Sequence, residues 1–420
     1  MTPDPTLLDD LEWRGLIAHS TDRDALREAL TQGSVRFYVG FDPTAPSLHM
    51  GNLVQLLTAK RLQRAGHTPY ALVGGATGMI GDPRDSGERT LNSLDTVKDW
   101  VQKVHRQIEP FLDFEGPTAA TMVNNYDWTA SLSTIDFLRD IGKHFPVNRM
   151  LARDVVKSRL EAGISYTEFS YVLLQSMDFL NLYRDHGVTL QFGGSDQWGN
   201  LTGGVELIRR SDAGRAHAFA TPLVTKSDGT KYGKTEGGAL WLDPQMLSAY
   251  AFHQFWLNAE DEKVGELLRI FTFLSHEEIE DLEQQTREKP FLRAGQKALA
   301  DAVTTEVHGA EETAGAKAAA AALFGGGDLR DLRPETLASA LSEAGATTAA
   351  RGTPTLDLLV DTGLVKSKGE GRRTIAEGGA YLNNERVTDV EHVPGEDDLV
   401  AGSWLVLRRG KKRLAGVRLE

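Results

Sequence analysis

Residues 38–52 read YVGFDPTAPSLHMGN, and the fold class follows from how this stretch is punctuated. The run 36–41 is rich in β-branched and aromatic residues and predicts a strand. Asp42-Pro43 then turns the chain, and Ser47-Leu48-His49 leads into a predicted helix over 48–65, with Leu53, Leu56, Leu57 and Leu62 at helical spacing. A second strand is predicted at 70–74, which completes a strand–turn–helix–strand unit. Further strands at 121–125, 189–192 and 219–224 alternate with helical patterns, so the first half predicts an α/β fold with a Rossmann-like parallel sheet. His49 and Gly51 at a helix start can form an anion site, because unpaired N–H groups and the positive dipole end attract phosphate oxygens. The alternative reading is that Ser47 or His49 simply caps the helix.

Residues 224–235, VTKSDGTKYGKT, place Lys226, Lys231 and Lys234 on a loop with Gly229 and Gly233. Mobile ammonium groups there can close over a polyphosphate and neutralise charge developing on a leaving group. The plainer alternative is a solvated basic loop, though it sits in an acidic host. Tyr171, Gln175 and Asp178 fall on one face of a helix. Residues 191–200, QFGGSDQWGN, carry a tight turn at Gly193, Gly194, Ser195 and Asp196. The glycines of 74–82, GGATGMIGD, do not match the G-x-G-x-x-G spacing, and no Walker lysine follows, which excludes both nucleotide-binding fingerprints.

Composition bounds the rest. The chain has 420 residues, 40% apolar and 25% charged, as in ordinary globular proteins. With no cysteine it has no thiol nucleophile, disulfide or cysteine-ligated metal, and the expected compartment is the reducing cytoplasm. No secretory leader is read at the start, and the apolar run 318–324 is far short of the ~20 residues that span a bilayer, so no membrane partner is expected. The formal net charge is −13, so contact with a polyanion must be local. Residues 354–420 hold 11 basic and 11 acidic side chains, leaving the whole excess upstream. Four parts are expected: a Rossmann-like catalytic domain at 1–225, a lysine loop with a helical domain at 226–324, a flexible linker at 325–353, with segments rich in Gly, Ala and Thr on either side of one short acidic helix, and a small α+β domain at 354–420.

His49-Met50-Gly51-Asn52 and Lys231-Tyr232-Gly233-Lys234-Thr235 resemble, in order and spacing, the two signatures of class I aminoacyl-tRNA synthetases. The stretches 74–82, 168–178 and 191–200 narrow the resemblance to the bacterial tyrosyl-tRNA synthetases, from Trp13 to Lys412. The resemblance implies tyrosine activation by ATP, then transfer to tRNA(Tyr), with Mg²⁺ accompanying the ATP. It implies catalytic roles for His49, Asn52, Lys231, Lys234 and Thr235. It assigns Asp82, Tyr171 and Gln175 to the substrate's α-amino group, Tyr38 and Asp178 to its phenolic hydroxyl, and Gln197 to the reacting carboxyl. ATP would meet Asp42, His49, Gly51, Gly193, Gly194, Asp196 and Lys234. Tyrosyl enzymes are the type example of rejecting phenylalanine, by about 10⁵-fold without editing.

Two departures stand out. Asn52 replaces the second histidine of the commonest signature, and residues 85–89 form a loop one residue shorter than expected, with the basic pyrophosphate contact expected there either missing or supplied by Arg84. The last part resembles an S-four-type RNA-binding domain, which implies tRNA contacts from Arg372, Arg373, Arg408, Arg409, Lys411 and Lys412. A homodimer is implied as well. The rival readings are tryptophan specificity on the same scaffold, and an RNA-binding protein derived from a synthetase that has lost aminoacylation.

Overall fold

The computed structural model of the chain describes residues 3–83, 91–235, 238–324, 326–410 and 413–420. The shortened loop at 85–89, Arg84, Lys411, Lys412 and the side chains of Lys234 and Thr235 lie outside the described residues. The chain divides into two compact units, residues up to Met246 with Glu260–Glu288, and Leu247–Ala259 with Lys289–Glu420.

The first unit is built on six strands, β1 (His19–Ser20), β2 (Arg36–Phe41), β3 (Thr68–Val73), β4 (Thr121–Asn124), β5 (Leu190–Gly194) and β6 (His217–Thr221), in the order β1-β6-β5-β2-β3-β4. β2 to β6 pair in parallel and only β1 is antiparallel. Phe37, Tyr38, Val39 and Phe41 are all buried, the near-continuous apolar run of a strand covered on both faces. Burying each large side chain contributes about 1.5–3 kcal/mol, and Phe192 and Phe219 of neighbouring strands stack with centroids 5.0 Å apart. The crossovers carry helices α1 (Met50–Arg64), α2 (Leu94–Ile108), α3 (Tyr166–His186) and α4 (Trp198–Asp212). Ser165 caps α3 by accepting from the Glu168 N–H, and Gly187 ends it in the left-handed region at φ 64°.

Strand order reverses between β2 and β5, whose register pairs Tyr38 with Gln191. In open α/β sheets this switch point opens a crevice at the carboxyl ends of the strands. The sequence places Asp42 just after one of those ends and Ser195-Asp196 just after the other. The last strand ends at Thr221 rather than 224, because Pro222 has no N–H to donate to the ladder.

Two expectations need correction. The helical region of 226–324 is not one body: helices Val264–Phe271 and His276–Glu288 belong to the first unit. There Arg14 donates to the carbonyls of Thr272 and Leu274, at 3.2 and 2.8 Å. A 3.6-residue period identifies a helix but not the core its stripe faces. The stretch 325–353, expected to be a flexible linker around one short helix, carries that helix as α8 (Pro334–Glu343) and adds a strand, β9 (Ala346–Ala349). Leu329, Leu337 and Leu341 are buried with Val400 and Val406, so the Ala-rich composition reflects tight packing rather than freedom.

The second unit combines α5 (Ala249–Leu257), α6 (Ala294–His308) and α7 (Ala310–Leu323) with α8 and a five-stranded sheet. That sheet runs β11-β10-β12-β13-β9, where β10 is Ala380–Leu382, β11 Glu385–Arg386, β12 Trp404–Arg409 and β13 Arg413–Leu419. Helices α9 (Thr355–Asp361) and α10 (Lys368–Ala376) cover it through Leu358, Leu359 and Ile375. Asn383 and Asn384 make the β10–β11 turn with φ of 47° and 68°. Among the described residues no helix is long and apolar enough to cross a membrane.

Candidate active site

At the switch point a chain of hydrogen bonds links strand ends to α3. Asp178, 1% exposed on α3, accepts from Asn125 Nδ2 through Oδ2 at 2.9 Å and from Trp128 Nε1 through Oδ1 at 2.8 Å. Asn125 Nδ2 also reaches Thr77 Oγ1 at 2.9 Å, and Thr77 donates to Asp42 Oδ1 at 2.6 Å. The other oxygen of Asp42 accepts from the Tyr171 hydroxyl at 2.6 Å. Burial pushes the Asp178 carboxyl up to about 7, against the opposing pull of Asn125 and Trp128.

Tyr38, 2% exposed, packs in the same core cluster as Phe179, with ring centroids 6.1 Å apart. Burial first, and then the charges of Asp178 and Asp42, raise its phenol well above the ordinary value. Its hydroxyl therefore stays protonated and able to donate. Asp178 and Tyr38 thus lie on the same side of the sheet. Gln175, one turn from Tyr171 and Asp178, has a buried Oε1 with no hydrogen-bond partner. A buried, unpaired acceptor is costly unless something supplies a proton to it, and an ammonium group does so.

The next cluster lies at the start of α4. Gln197 Nε2 donates to Asp82 Oδ2 at 2.7 Å, and Asn200 Nδ2 donates to Gln197 Oε1 at 2.8 Å and to Asp82 Oδ1 at 3.3 Å. Burial raises the Asp82 carboxyl, while both amides and the Arg153 charge hold it down.

His49 is the N-cap of α1. Its Nδ1 accepts from the Gly51 N–H at 3.0 Å, and its own N–H donates to Asn52 Oδ1 at 3.1 Å. The cap and the anion site are therefore the same residue: Nδ1 satisfies the helix end, which leaves the neutral ring's proton on Nε2. Burial pushes the imidazolium down, and the Lys231 charge adds to that direction. Asn52, in place of a second histidine, completes a capping box. The lysine loop reaches the same helix end. Met50 N–H donates to the Leu240 carbonyl at 3.0 Å, and a Cβ on Gly233 would lie 2.9 Å from Met50 Sδ.

The structure thus brings together Tyr38, Asp42, Asp82, Tyr171, Gln175, Asp178 and Gln197, with His49, Gly51, Asn52 and Lys231 around the α1 end. Gly193 and Gly194 close β5, and Asp196 is exposed on the following turn. The sequence reading missed Thr77, Asn125, Trp128, Arg153 and Asn200. Asn125 and Asn200 carried a usable signal, since each stands beside a predicted strand end or motif at the crevice. Trp128 and Arg153 carried none.

In the second unit Arg372 and Arg373 are exposed on α10. Arg408 and Arg409 depart from expectation. Arg408 is buried, with its guanidinium 4.2 Å from the Tyr381 ring and Nη1 donating to the Gly410 carbonyl. Arg409 pairs with Glu370 at 2.9 Å and donates to the Leu364 carbonyl. Both charges are engaged inside the domain, because β12 turns these side chains onto its own helices and rings.

Residues 30–325 match the family described as tRNA synthetases class I (W and Y), and residues 337–416 match the tyrosine–tRNA ligase SYY-like C-terminal domain. The chain belongs to this class I tRNA synthetase family. It is 61% identical to the tyrosine–tRNA ligase of Streptomyces coelicolor, over 98% of this chain and 99% of that one. It is also 61% identical to the tyrosine–tRNA ligase of Kineococcus radiotolerans, over 97% of each chain. Its fold is similar to a C-terminally truncated mitochondrial tyrosyl-tRNA synthetase of Aspergillus nidulans, with TM-score 0.67 and 30% identity over 74% of this chain and 92% of that one.

Proposed function

We infer that this chain is a tyrosine–tRNA ligase, which activates L-tyrosine with ATP to tyrosyl-adenylate and pyrophosphate and then transfers tyrosine to the 3′ end of tRNA(Tyr). The observation that carries this reading is the pairing of Asp178, an acceptor held by two donors, with Tyr38, a phenol that stays protonated. A phenolic hydroxyl both donates and accepts, and so satisfies both groups. Indole only donates, which leaves Tyr38 without an acceptor and disfavours tryptophan. Phenylalanine offers neither a proton to Asp178 nor an acceptor to Tyr38.

In this reading Asp82, Tyr171 and the unpartnered Gln175 Oε1 receive the α-ammonium. The substrate carboxylate, beside Gln197, attacks the α-phosphate of ATP in line, and pyrophosphate leaves. No side chain acts as a nucleophile. His49 Nε2–H, Lys231 and Lys234 meet the phosphates, Asn52 and Thr235 support them, and Asp42, Gly51, Gly193, Gly194 and Asp196 frame the nucleotide. Catalysis then consists of positioning and charge stabilisation, worth most where donors bind the pentacoordinate phosphate more strongly than bound ATP. Mg²⁺ enters on the triphosphate; among the described residues no group of three or more His, Asp or Glu side chains could hold a metal. Tyrosine-dependent ATP–pyrophosphate exchange tests substrate, cofactor and pocket together, and exchange that depends on tryptophan instead, or none at all, overturns the reading.

For tRNA, the exposed Arg372 and Arg373 are the phosphate contacts this reading favours. A cytoplasmic homodimer fits as well. Ile135, Leu138, Val147, Leu151, Leu160 and Tyr166 are exposed within one segment of the first unit, apolar side chains that a second copy of the chain would cover. Sedimentation equilibrium distinguishes the dimer from a monomer.

A further inference from the structure

Arg153 enters the site from outside every motif considered above. Its Nη2 donates to Asn200 Oδ1 at 2.6 Å. Asn200 is 1% exposed, and its Nδ2 serves both Gln197 Oε1 and Asp82 Oδ1, while Gln197 Nε2 serves Asp82 Oδ2. A guanidinium can only donate, whereas each amide can be turned either way at almost no steric cost. With Arg153 at one end, the Asn200 oxygen must face it and the Asn200 NH₂ must face Gln197 and Asp82. The Gln197 oxygen is then committed to Asn200 and its NH₂ to Asp82. One donor-only group orients both amides, and both point their protons at the same carboxylate.

The end of α4 does not by itself favour Arg153 there. Its guanidinium lies over the first turn of α4, where the helix dipole repels a cation. Gly199 makes the approach possible, since a Cβ there would lie 3.0 Å from Arg153 Nε and 3.1 Å from Nη2. Burial opposes the charge there, and the position is sustained by Asn200 and by the nearby Asp82.

We propose that Arg153 is a positioning residue for amino-acid activation, which sets the direction of the Asn200–Gln197–Asp82 hydrogen bonds so that Asp82 is held as an ionised acceptor for the substrate's α-ammonium. This rests on the assignment of Asp82 to that group. Among the described residues, the charged and titratable groups around Asp82 include Asp42 at the end of β2, Tyr171 on α3 and Arg153 itself. Asp42 opposes ionisation of Asp82, and Arg153 with the two amides supports it.

The test is tyrosine-dependent ATP–pyrophosphate exchange without tRNA, run from acid to neutral pH on Arg153→Leu, Arg153→Lys, Gly199→Ala and Asp82→Asn. Losing one charge-assisted hydrogen bond predicts a rise of about tenfold or more in the tyrosine KM of Arg153→Leu. The KM for ATP should change little, and the acid limb of kcat/KM should move to higher pH. Arg153→Lys should recover most of the loss, because the contact is a single donor, and Gly199→Ala should give a milder form of the same defect. If Arg153→Leu does not fold, the lysine and Gly199 variants carry the test. An unchanged tyrosine KM and pH profile, or a defect confined to transfer onto tRNA, overturns the proposal. If Asp82→Asn is disabled while the Arg153 variants behave as wild type, the site assignment stands and only the role of Arg153 falls. If Asp82→Asn is itself normal, both fall.

Discussion

Trp128 Nε1 donates to Asp178 Oδ1 at 2.8 Å, which places an indole N–H behind the one carboxylate assigned to the substrate's phenol. Trp128 stands on a helical turn, Tyr126–Thr129, just beyond β4, while Asp178 lies in the fourth turn of α3. Two elements far apart in sequence therefore share the burial of one negative charge. Asn125 completes the arrangement, its orientation fixed because its own Oδ1 accepts from the Ala76 N–H at 2.7 Å.

Trp128→Phe keeps an aromatic ring and removes the donor. A hydrogen bond to a charged group contributes about 1.5–3 kcal/mol, so the tyrosine KM should rise roughly 10- to 100-fold at 1.4 kcal/mol per decade. Discrimination against phenylalanine should narrow, because the carboxylate is less well prepared to accept from a hydroxyl. Exchange kinetics with both amino acids measure the two effects, and an unchanged tyrosine-to-phenylalanine ratio would contradict the role given to Trp128.

The pH dependence of activation follows from Asp178, whose carboxyl is pushed up to about 7 by burial. Below that pH it is protonated and competes poorly for the phenol's proton, so kcat/KM for tyrosine should fall on the acid side with an apparent pKa near 7 in the free enzyme. Asp178→Asn should lose its own part of this limb, leaving the part that Asp82 sets, and run slowly at all pH values. Stability carries the opposite sign. The fold favours the protonated acid, so this contribution is present below the ordinary value of 3.8 and is lost as pH rises through about 7. The melting temperature of Asp178→Asn, relative to wild type, should therefore improve as pH rises, and a difference that is flat with pH counts against it.

His49 performs two tasks that substitution can separate. His49→Ala removes the cap of α1, at a cost of about 1 kcal/mol, together with the Nε2 donor, which should lower the activation rate on the order of 10²-fold. His49→Asn retains a good capping oxygen, so its stability should stay near wild type while the rate still falls. Tyrosine KM should hardly move in either variant. Thermal unfolding and single-turnover activation read the two effects independently, and a rate loss that simply tracked stability would deny His49 a role in phosphate contact.

The sequence made β2, α1 and the crevice legible because each is a local pattern: an apolar run, a helical stripe, a turn between them. Tyr171, Gln175 and Asp178 were legible for the same reason, as positions on one helix face. Trp128 and Arg153 were not, since what they do depends on β4 lying beside β3 and on the segment after residue 146 folding back to α4. Those are consequences of tertiary register, which no local period records. The linker reading failed in the converse way. In 325–353 Gly breaks local structure while Ala favours helix, and whether such a stretch is loose or packed depends on the Leu337 and Leu341 side of α8 finding a core.

His67 supplies a stability effect opposite in sign to that of Asp178. It lies between α1 and β3, fully buried, with Nδ1 accepting from the Val35 N–H at 3.1 Å and Nε2 without a hydrogen-bond partner. Burial pushes its pKa down from 6.5 to about 4. The unfolded chain therefore takes up a proton before the fold does, and the contribution is fully present above pH 6.5 and lost as pH falls through about 4, on the order of 3 kcal/mol in all. His67→Asn can keep the acceptor for Val35 but does not titrate. It should be less stable than wild type at neutral pH, because the smaller side chain leaves space in a packed site. It should lose less stability on acidification, so the two melting curves converge as pH falls toward 4. Because ordinary carboxylates also titrate there, the quantity to measure is the difference between the two proteins at each pH. A difference that stayed constant from neutral to acid pH would mean that His67 does not take up its proton on unfolding.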